Sequence, residues 1–407
     1  MSVKDALVRS EGPEFEIMCL AARVRFDAVQ SERINVLADE GLDWRVFLSS
    51  LERHYVAPLV YRNLASIEAL KIPPKVLDTI RVRSLITAWK SLQFATELAR
   101  LSQRLEANSI QVIHYKGAVT AQQYYSAVTL RNFHDLDFLV RRADLVALIK
   151  VLESEGYRNS EDFTPAQFAH FVTEFKEFMF NKAEFAIEPH WSIAGRRYPF
   201  ETDYEGFWQR ARMLSFNGEA LRVLGTEDAL LVLCLVGAKG RWQRLQMVCD
   251  VAECLRSSPD LDWSIVQAMA RATGTVRILH LGLRLAAELA GAALPESLNR
   301  DILNSSAIDR LARDVVVSMT RSRDARHFLP DSPSVFSPLL FRQRERLKDR
   351  WRYLWRTITT PSVVHMERVP LPKVLFPFYR IIVPLHDYVA FPAIRFIRSL
   401  AHYATIG

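Results

Sequence analysis

Cysteine is scarce: Cys19, Cys234, Cys249 and Cys254 are the only four in 407 residues, and none stand in a CxxC pair. That spacing excludes a zinc-finger type of site and a small disulfide scaffold, so reduced, buried thiols are expected. The first residues lack an apolar core followed by a small-residue cleavage site, so no export signal is read and the cytoplasm is the expected compartment. A clean run of about 20 apolar residues is missing too. The most apolar late stretch, Val374 to Leu400, is broken by Pro377, Pro384, Pro392, Arg380, His386 and Asp387, and no transmembrane span is expected. Neither HExxH, GxSxG nor a Walker-type phosphate loop occurs, which argues against a zinc protease, an α/β hydrolase and a P-loop enzyme.

What the chain does contain is enough apolar residue for a core, at 49% hydrophobic and 24% charged. Its length favours two or three structural units rather than one. A net charge of +7 implies a mild preference for anionic partners, whether nucleotides, nucleic acid or lipid headgroups.

Periodicity divides the chain. Residues 1–108 read as a helical amino-terminal subdomain. Asp43 is placed to cap a helix burying Phe47, Leu48 and Leu51, and Leu85, Trp89, Leu92, Ala95, Leu98, Leu101 and Leu105 mark a long amphipathic helix. Residues 109–224 change period. A short strand from Ile110 to Tyr115 meets Lys116-Gly117 and then a helix, Val119 to Tyr125. A second strand runs from Leu136 to Val140, and the next helix stops at Gly156. A third extended run, Glu184 to Ile193, carries Glu188 and His190. Residues 225–327 are helical again, with Thr226 at a capping position and Glu227 and Asp228 favourable in the first turn. Residues 328–407 are read as a proline- and serine-rich linker, Phe328 to Pro338, followed by a basic and apolar extension. There Arg342, Arg344, Arg346, Lys348, Arg350, Arg352 and Arg356 interleave with Trp351 and Trp355. Ordinary amphipathicity predicts a helix packing both tryptophans inward, and contact with an anionic membrane or nucleic acid is the other reading.

The chemistry centres on Asp135 and Asp137. Period two puts both carboxylates on one face of a strand, with Leu136 opposite. Two hard oxygen ligands suit magnesium, which completes its octahedron with water and phosphate oxygens, and manganese is an acceptable substitute. Glu188 is the candidate third carboxylate, allowing a second ion about 4 Å away. Upstream, the Gly117 turn opening a helix offers backbone amides to phosphate, and Lys116 adds a point charge. Lys239, Arg241 and Arg244 in the helical half are candidates to reach a triphosphate. His190 is read as a half-buried neighbour of Trp191, or as a partner of Glu188. Phe185, Ile187 and Trp191 are expected in the core.

The string His-Tyr-Lys-Gly-Ala-Val, then Leu130-Arg131, then His-Asp-Leu-Asp-Phe-Leu-Val and Leu-Glu-Ser-Glu-Gly-Tyr resembles the palm of the nucleotidyltransferase superfamily that includes DNA polymerase beta. More narrowly it resembles the bacterial uncharacterised nucleotidyltransferases. Leu42-Asp43-Trp44, Glu52 to Leu59, Lys239 to Leu245, Cys249 to Glu253 and Asp262-Trp263 extend the likeness over roughly residues 15 to 390.

The resemblance implies an α+β fold: a small mixed sheet, the palm, flanked by amino-terminal and carboxy-terminal helical subdomains. It implies transfer of a nucleoside monophosphate from a nucleoside triphosphate to an acceptor hydroxyl of a small molecule, sugar or protein. Asp135, Asp137 and Glu188 would hold metal, and Lys116, Gly117, Arg131 and Lys239 would bind nucleotide. A nucleotide-binding or assembly module with a retained palm is the alternative. The chain departs from the superfamily at Gly117-Ala118, where glycine or serine commonly follows the first glycine. It departs at Val236 and Gly240, where histidines are expected. It departs again at Pro189, whose missing N–H predicts a sheet edge or a bulge.

Overall fold

The structure is a computed structural model that describes residues 12–159, 168, 171–173, 175–195, 198, 201–321, 336–361, 365–366, 369 and 371–387. Among the described residues five helices come first: α1 (Pro13–Ala21), α2 (Ala28–Asp39), α3 (Trp44–His54), α4 (Ala57–Leu64) and α5 (Pro74–Ala107). The Asp43 carboxylate caps α3 by accepting from the Arg45 and Val46 N–H groups, and Phe47 and Leu51 on its inner face are fully buried. The long α5 changes faces along its length. Its first turns bury Val76, Ile80 and Ser84 beside α4, while its last turns bury Phe94, Ala95, Leu98, Leu101 and Leu105. The expected stripe is therefore buried only in its second half, and Leu85, Trp89 and Leu92 are about half exposed or more.

Seven strands follow, β1 (Val112–His114), β2 (Leu136–Val140), β3 (Arg158–Asn159), β4 (Phe180–Lys182), β5 (Phe185–His190), β6 (Arg212–Phe216) and β7 (Glu219–Val223). They form one mixed sheet in the order β3-β4-β5-β2-β1-β7-β6, with β2–β5 and β1–β7 parallel and the other pairs antiparallel. Helices α6 (Ala118–Tyr124), α7 (Leu145–Ser154) and α8 (Tyr204–Arg210) connect them. The fold is the α+β class expected.

Alternation along β2 sorts its side chains. Leu136, Phe138 and Val140 join the core that includes the end of α5, Leu145, Leu148 and Leu152 of α7, and Phe180. Leu139, with Ile113 and Tyr115, joins the other core, which the helices on both sides of the sheet sequence build together. Asp137 shares the parity of Leu139, so it faces the helical body.

Pro189 lies on an interior strand, contrary to the edge expected. It pairs with Phe138 on one side. On the other side, the β4 ladder stops at Ile187, and Pro189 accepts from the Phe178 N–H while Trp191 N–H donates to Lys176. The pairing resumes beyond it, with Glu177 opposite His190, so the proline interrupts one ladder without making its strand an edge.

The later helices are α9 (Thr226–Lys239), α10 (Leu245–Arg256), α11 (Trp263–Thr273), α12 (Val276–Leu289), α13 (Glu296–Leu303) and α14 (Ser306–Arg321). Gly225 rather than Thr226 occupies the cap of α9, and no side chain caps it. Asp228 in the first turn is instead held by Arg210 at 2.8 Å and 2.9 Å. Trp242 is fully buried because Gly237 leaves room for its ring, where a Cβ would stand 2.4 Å from Cζ3. Most of the expected linker, up to residue 335, lies outside the described residues. Beyond it come α15 (Pro338–Arg342), α16 (Leu347–Thr359) and α17 (Tyr379–Leu385), with Met366 and Tyr379 packed into the sheet-side core.

The basic segment is two helices rather than one, and its tryptophans face outward. Trp351 is 68% exposed and Trp355 63%, because Asp349, Tyr353 and Thr357 take the inner face of α16. Tyr353 fixes that orientation: its hydroxyl accepts from the Ser337 N–H at 3.1 Å and Arg344 lies 4.4 Å over its ring.

Candidate active site

β2 and β5 run parallel with Asp137 opposite Glu188, so these two carboxylates project from one face of adjacent strands. β1 delivers Lys116 to the same place. Its chain ends at Gly117, whose φ of 66° and ψ of −126° suit glycine alone, and α6 begins at the next residue. Lys116 Nζ is 2.7 Å from Asp137 Oδ1 and 3.9 Å from Glu188 Oε2. Asp135 immediately precedes β2, beside this pair.

His190, two residues beyond Glu188, turns to the same face. It is fully buried, and its Nε2 donates to Asp137 Oδ1 at 2.8 Å and lies 3.6 Å from Glu188 Oε2. The tyrosine ring of Tyr115 stands edge-on to it, with centroids 5.4 Å apart. His190 is therefore more buried than expected and leans on Asp137 first. On its far side, Nδ1 meets Glu177 at 2.9 Å and Lys176 Nζ at 3.4 Å. Sequence reasoning missed Lys176, because the irregular stretch before β4 carries no period to orient it.

Three lysines thus surround three carboxylates. Burial, then the charge of Lys116, depress Lys239, at the end of α9, to about 8, against a hydrogen bond with Lys176 and the pull of the acids. Burial, then Lys239 and Lys116, depress Lys176 well below the usual lysine range. Lys116 goes the other way: burial opposes its charge, but Asp137 and then the other acids raise it well above the ordinary value. Burial alone would raise Asp137, yet Lys116 and His190 hold it well below the ordinary carboxylate range. Asp135 is pushed up to about 6 by burial and by the charge of Asp137. Glu188 is raised by burial, which with Asp137 and Asp135 outweighs Lys116. His190 is held far below the usual value by burial and Lys176, hence neutral.

Asp137, Glu188 and His190 each offer a ligand atom within 4.8 Å of the others. Asp137 Oδ1 is engaged by Lys116 and His190, while Oδ2 is buried with no hydrogen-bond partner among the described residues. A buried, unengaged carboxylate oxygen flanked by two more acids fits a hard cation. Access is from the Glu188 and Lys116 side, whose side chains keep 17% and 20% of their surface exposed. A separate cavity between α5 and the β1–β7 pair, lined by Ser102, His114, Met213 and Arg222, contains none of these acids.

Arg131 stands apart from the lysines. It is buried, and its Nε and Nη2 donate to the two oxygens of Asp250 on α10, both at 2.7 Å. The Tyr125 hydroxyl donates to the same carboxylate at 2.7 Å, and Arg131 Nη1 reaches the Gly117 carbonyl at 3.4 Å. Arg131 thus ties the Lys-Gly turn to the helical body, while Asp135 lies near enough for each to favour the other's charge. Arg244 also turns elsewhere, lying 4.2 Å over the Tyr55 ring.

No curated protein matches the chain. Among solved structures it is similar to the antibiotic-resistance factor ANT(2'')-Ia in solution, with 11% identity, a TM-score of 0.31, and coverage of 45% of this chain and 91% of that one. It is similar to the crystal structure of ANT(2'')-Ia in complex with adenylyl-2''-tobramycin, with 11% identity, a TM-score of 0.32, and coverage of 44% and 97%. An antigenic nucleotidyltransferase-like protein from Paracoccidioides brasiliensis gives 14% identity, a TM-score of 0.31, and coverage of 51% and 96%. These likenesses are distant. The family of uncharacterised nucleotidyltransferases, by contrast, matches residues 40–291, more than half of the chain and the whole of the acidic and lysine cluster. The chain belongs to that nucleotidyltransferase family.

Proposed function

We propose that the protein moves a nucleoside monophosphate from a nucleoside triphosphate to an acceptor hydroxyl of a small molecule, sugar or protein, with a divalent metal ion. The observation that supports this most is the register of Asp137 against Glu188, with three lysines gathered around them.

Asp135, Asp137 and Glu188 would hold magnesium, or manganese in its place, and the bound ion would neutralise the phosphate oxygens that gain charge during transfer. The chain's own groups do the rest. Neutral His190 orients Asp137 through one oxygen and leaves the other for the cation, as an outer partner does at metal sites. Lys116 supplies positive charge for the triphosphate tail, fixed before the substrate arrives, and Lys239 and Lys176, whose charge burial disfavours in the free site, would be charged more readily beside the phosphates. Gly117 sets the turn that aims Lys116, and Arg131 holds that turn against Asp250. Glu188, the more open carboxylate, either completes the cation's oxygen set or takes the acceptor's proton.

Metal dependence fits the site because burial first, and then the charge of neighbouring acids, raise Asp135 and Glu188, and a bound cation would offset both. One test uses each labelled triphosphate with cell extract and magnesium. Labelling of one extract component, with release of pyrophosphate, is expected, and both should vanish in Asp137→Asn. No labelled product from any triphosphate would count against transfer.

A second reading is a nucleotide-binding or assembly module with weak turnover. It is favoured by Lys116 Nζ, which stands 2.7 Å from Asp137 and 3.9 Å from Glu188, where a divalent ion would have to displace it. Tight calorimetric binding of a triphosphate with no product from any acceptor would select it.

A further inference from the structure

The outward face of α16 is built the wrong way round for a helix that meets only water. At 100° per residue, Leu347, Trp351, Leu354, Trp355 and Ile358 fall within an arc of about 100°. Leu347, Trp351 and Trp355 in that arc are 68%, 68% and 63% exposed. The adjoining α17 repeats the arrangement. Phe378, Ile381 and Leu385, spaced for one helix face, are 54%, 57% and 56% exposed, and Leu375 before them is 40% exposed. The two helices pack on each other, so both apolar faces belong to one part of the molecule.

The charge around these faces is mainly positive. Seven cations lie between Arg342 and Arg356, all but the buried Arg344 at least partly exposed, against Glu345 and the buried Asp349. Counting also Asp314 and Glu201, which pair with Arg342 and Arg352, the ratio is still seven to four. Lys348 is exposed at the margin of the tryptophan arc, and Arg380 is exposed between Phe378 and Ile381.

From these faces and their charge we infer that α16 and α17 form a contact surface for a lipid bilayer containing anionic lipid. Tryptophans at the headgroup level, leucine and isoleucine beneath, and lysine and arginine at the edges reaching phosphates make up the chemistry of an interfacial helix. A nucleic acid would need the cations in the centre of the face, with leucine and isoleucine elsewhere. The contact lies in the plane of the membrane: α16 is 13 residues, and no helix among the described residues is long and apolar enough to cross.

The test is flotation of the full chain with phosphatidylcholine vesicles, with and without phosphatidylserine, in the absence of nucleotide. Three proteins are compared: the wild type, Trp351→Ser/Trp355→Ser and Lys348→Glu. All three positions are exposed, and circular dichroism checks that the folds are equal. The wild type is expected to float with anionic vesicles about tenfold more than with neutral ones, less so in high salt, as tryptophan emission shifts to the blue. The double serine variant should lose most of this binding, and Lys348→Glu part of it. Failure of the wild type to float, or equal flotation of the serine variant, would overturn the inference. So would a lipid-free dimer that the serine variant dissociates, which would assign the face to a second copy, or wild-type binding to single-stranded nucleic acid that excludes vesicles. None of these readouts depends on nucleotidyl transfer.

Discussion

At the scale of single residues, a few atoms carry the chemistry proposed here. Asp137 is the hinge of the cluster, touching Lys116 and His190 through one oxygen and keeping the other unengaged. Asp137→Asn keeps the shape but removes the charge, and magnesium-dependent pyrophosphate release is expected to fall by about 10³-fold or more. Lys176→Met removes one of the three lysines and leaves Asp135, Asp137 and Glu188 in place, so the KM for the triphosphate should rise about tenfold, read from initial rates against nucleotide concentration. Gly117→Ala is expected to cost about 1–3 kcal/mol, measured by urea denaturation, because its backbone lies where side chains are strained. Much of this level was legible in the sequence. Asp135, Asp137, Glu188 and Lys116 could be singled out because strand period and a glycine turn fix where such side chains point. Lys176 could not, since its segment has no period. The bond from His190 to Asp137 could not either, since it depends on the pairing of strands 53 residues apart.

At the scale of elements, the register of β2 on β5 brings the acids together, and α10 holds the turn before α6. The Arg131–Asp250 pair joins these two parts across 119 residues and is almost fully buried. Removing one partner leaves an uncompensated buried charge. Asp250→Asn is expected to lower stability by about 3–5 kcal/mol, with the Arg131→Met/Asp250→Leu pair costing less than the sum of its single changes. Denaturation midpoints check this. Here the sequence was readable for element type and less so for element face. The helical stretches and the α+β order followed from period. The outward tryptophans of α16 did not, because amphipathicity alone cannot tell which side a neighbouring Tyr353 will claim. Pro189 misled for a similar reason: a missing donor can interrupt a ladder at one position while its strand stays paired on both sides.

At the scale of the whole molecule, helices before and after the sheet share one core, and histidines are buried without charge both there, at His54, and in the sheet-side core, at His114 beside Phe138. Burial, with Arg53 nearby, depresses His54 to about 3, and burial depresses His114 to about 4. In the unfolded chain both titrate near 6.5. The unfolded state therefore binds more protons below that pH, so their stabilising contribution is present above pH 6.5 and is lost as pH falls towards 4 and 3. At pH 5 the two together should cost roughly 3–4 kcal/mol relative to pH 7.5, and a denaturation series over pH would show it. His54→Gln, which keeps an acceptor for the Leu245 N–H, should flatten that dependence. The central claim concerns the acids of the sheet acting as one cation site, and manganese binding followed by electron paramagnetic resonance, with and without a non-hydrolysable triphosphate, tests it most directly. Wild type should bind the ion, more tightly with the nucleotide, and Asp137→Asn and Glu188→Gln should each weaken it by about tenfold or more. Manganese binding that is unchanged in both variants would contradict the account.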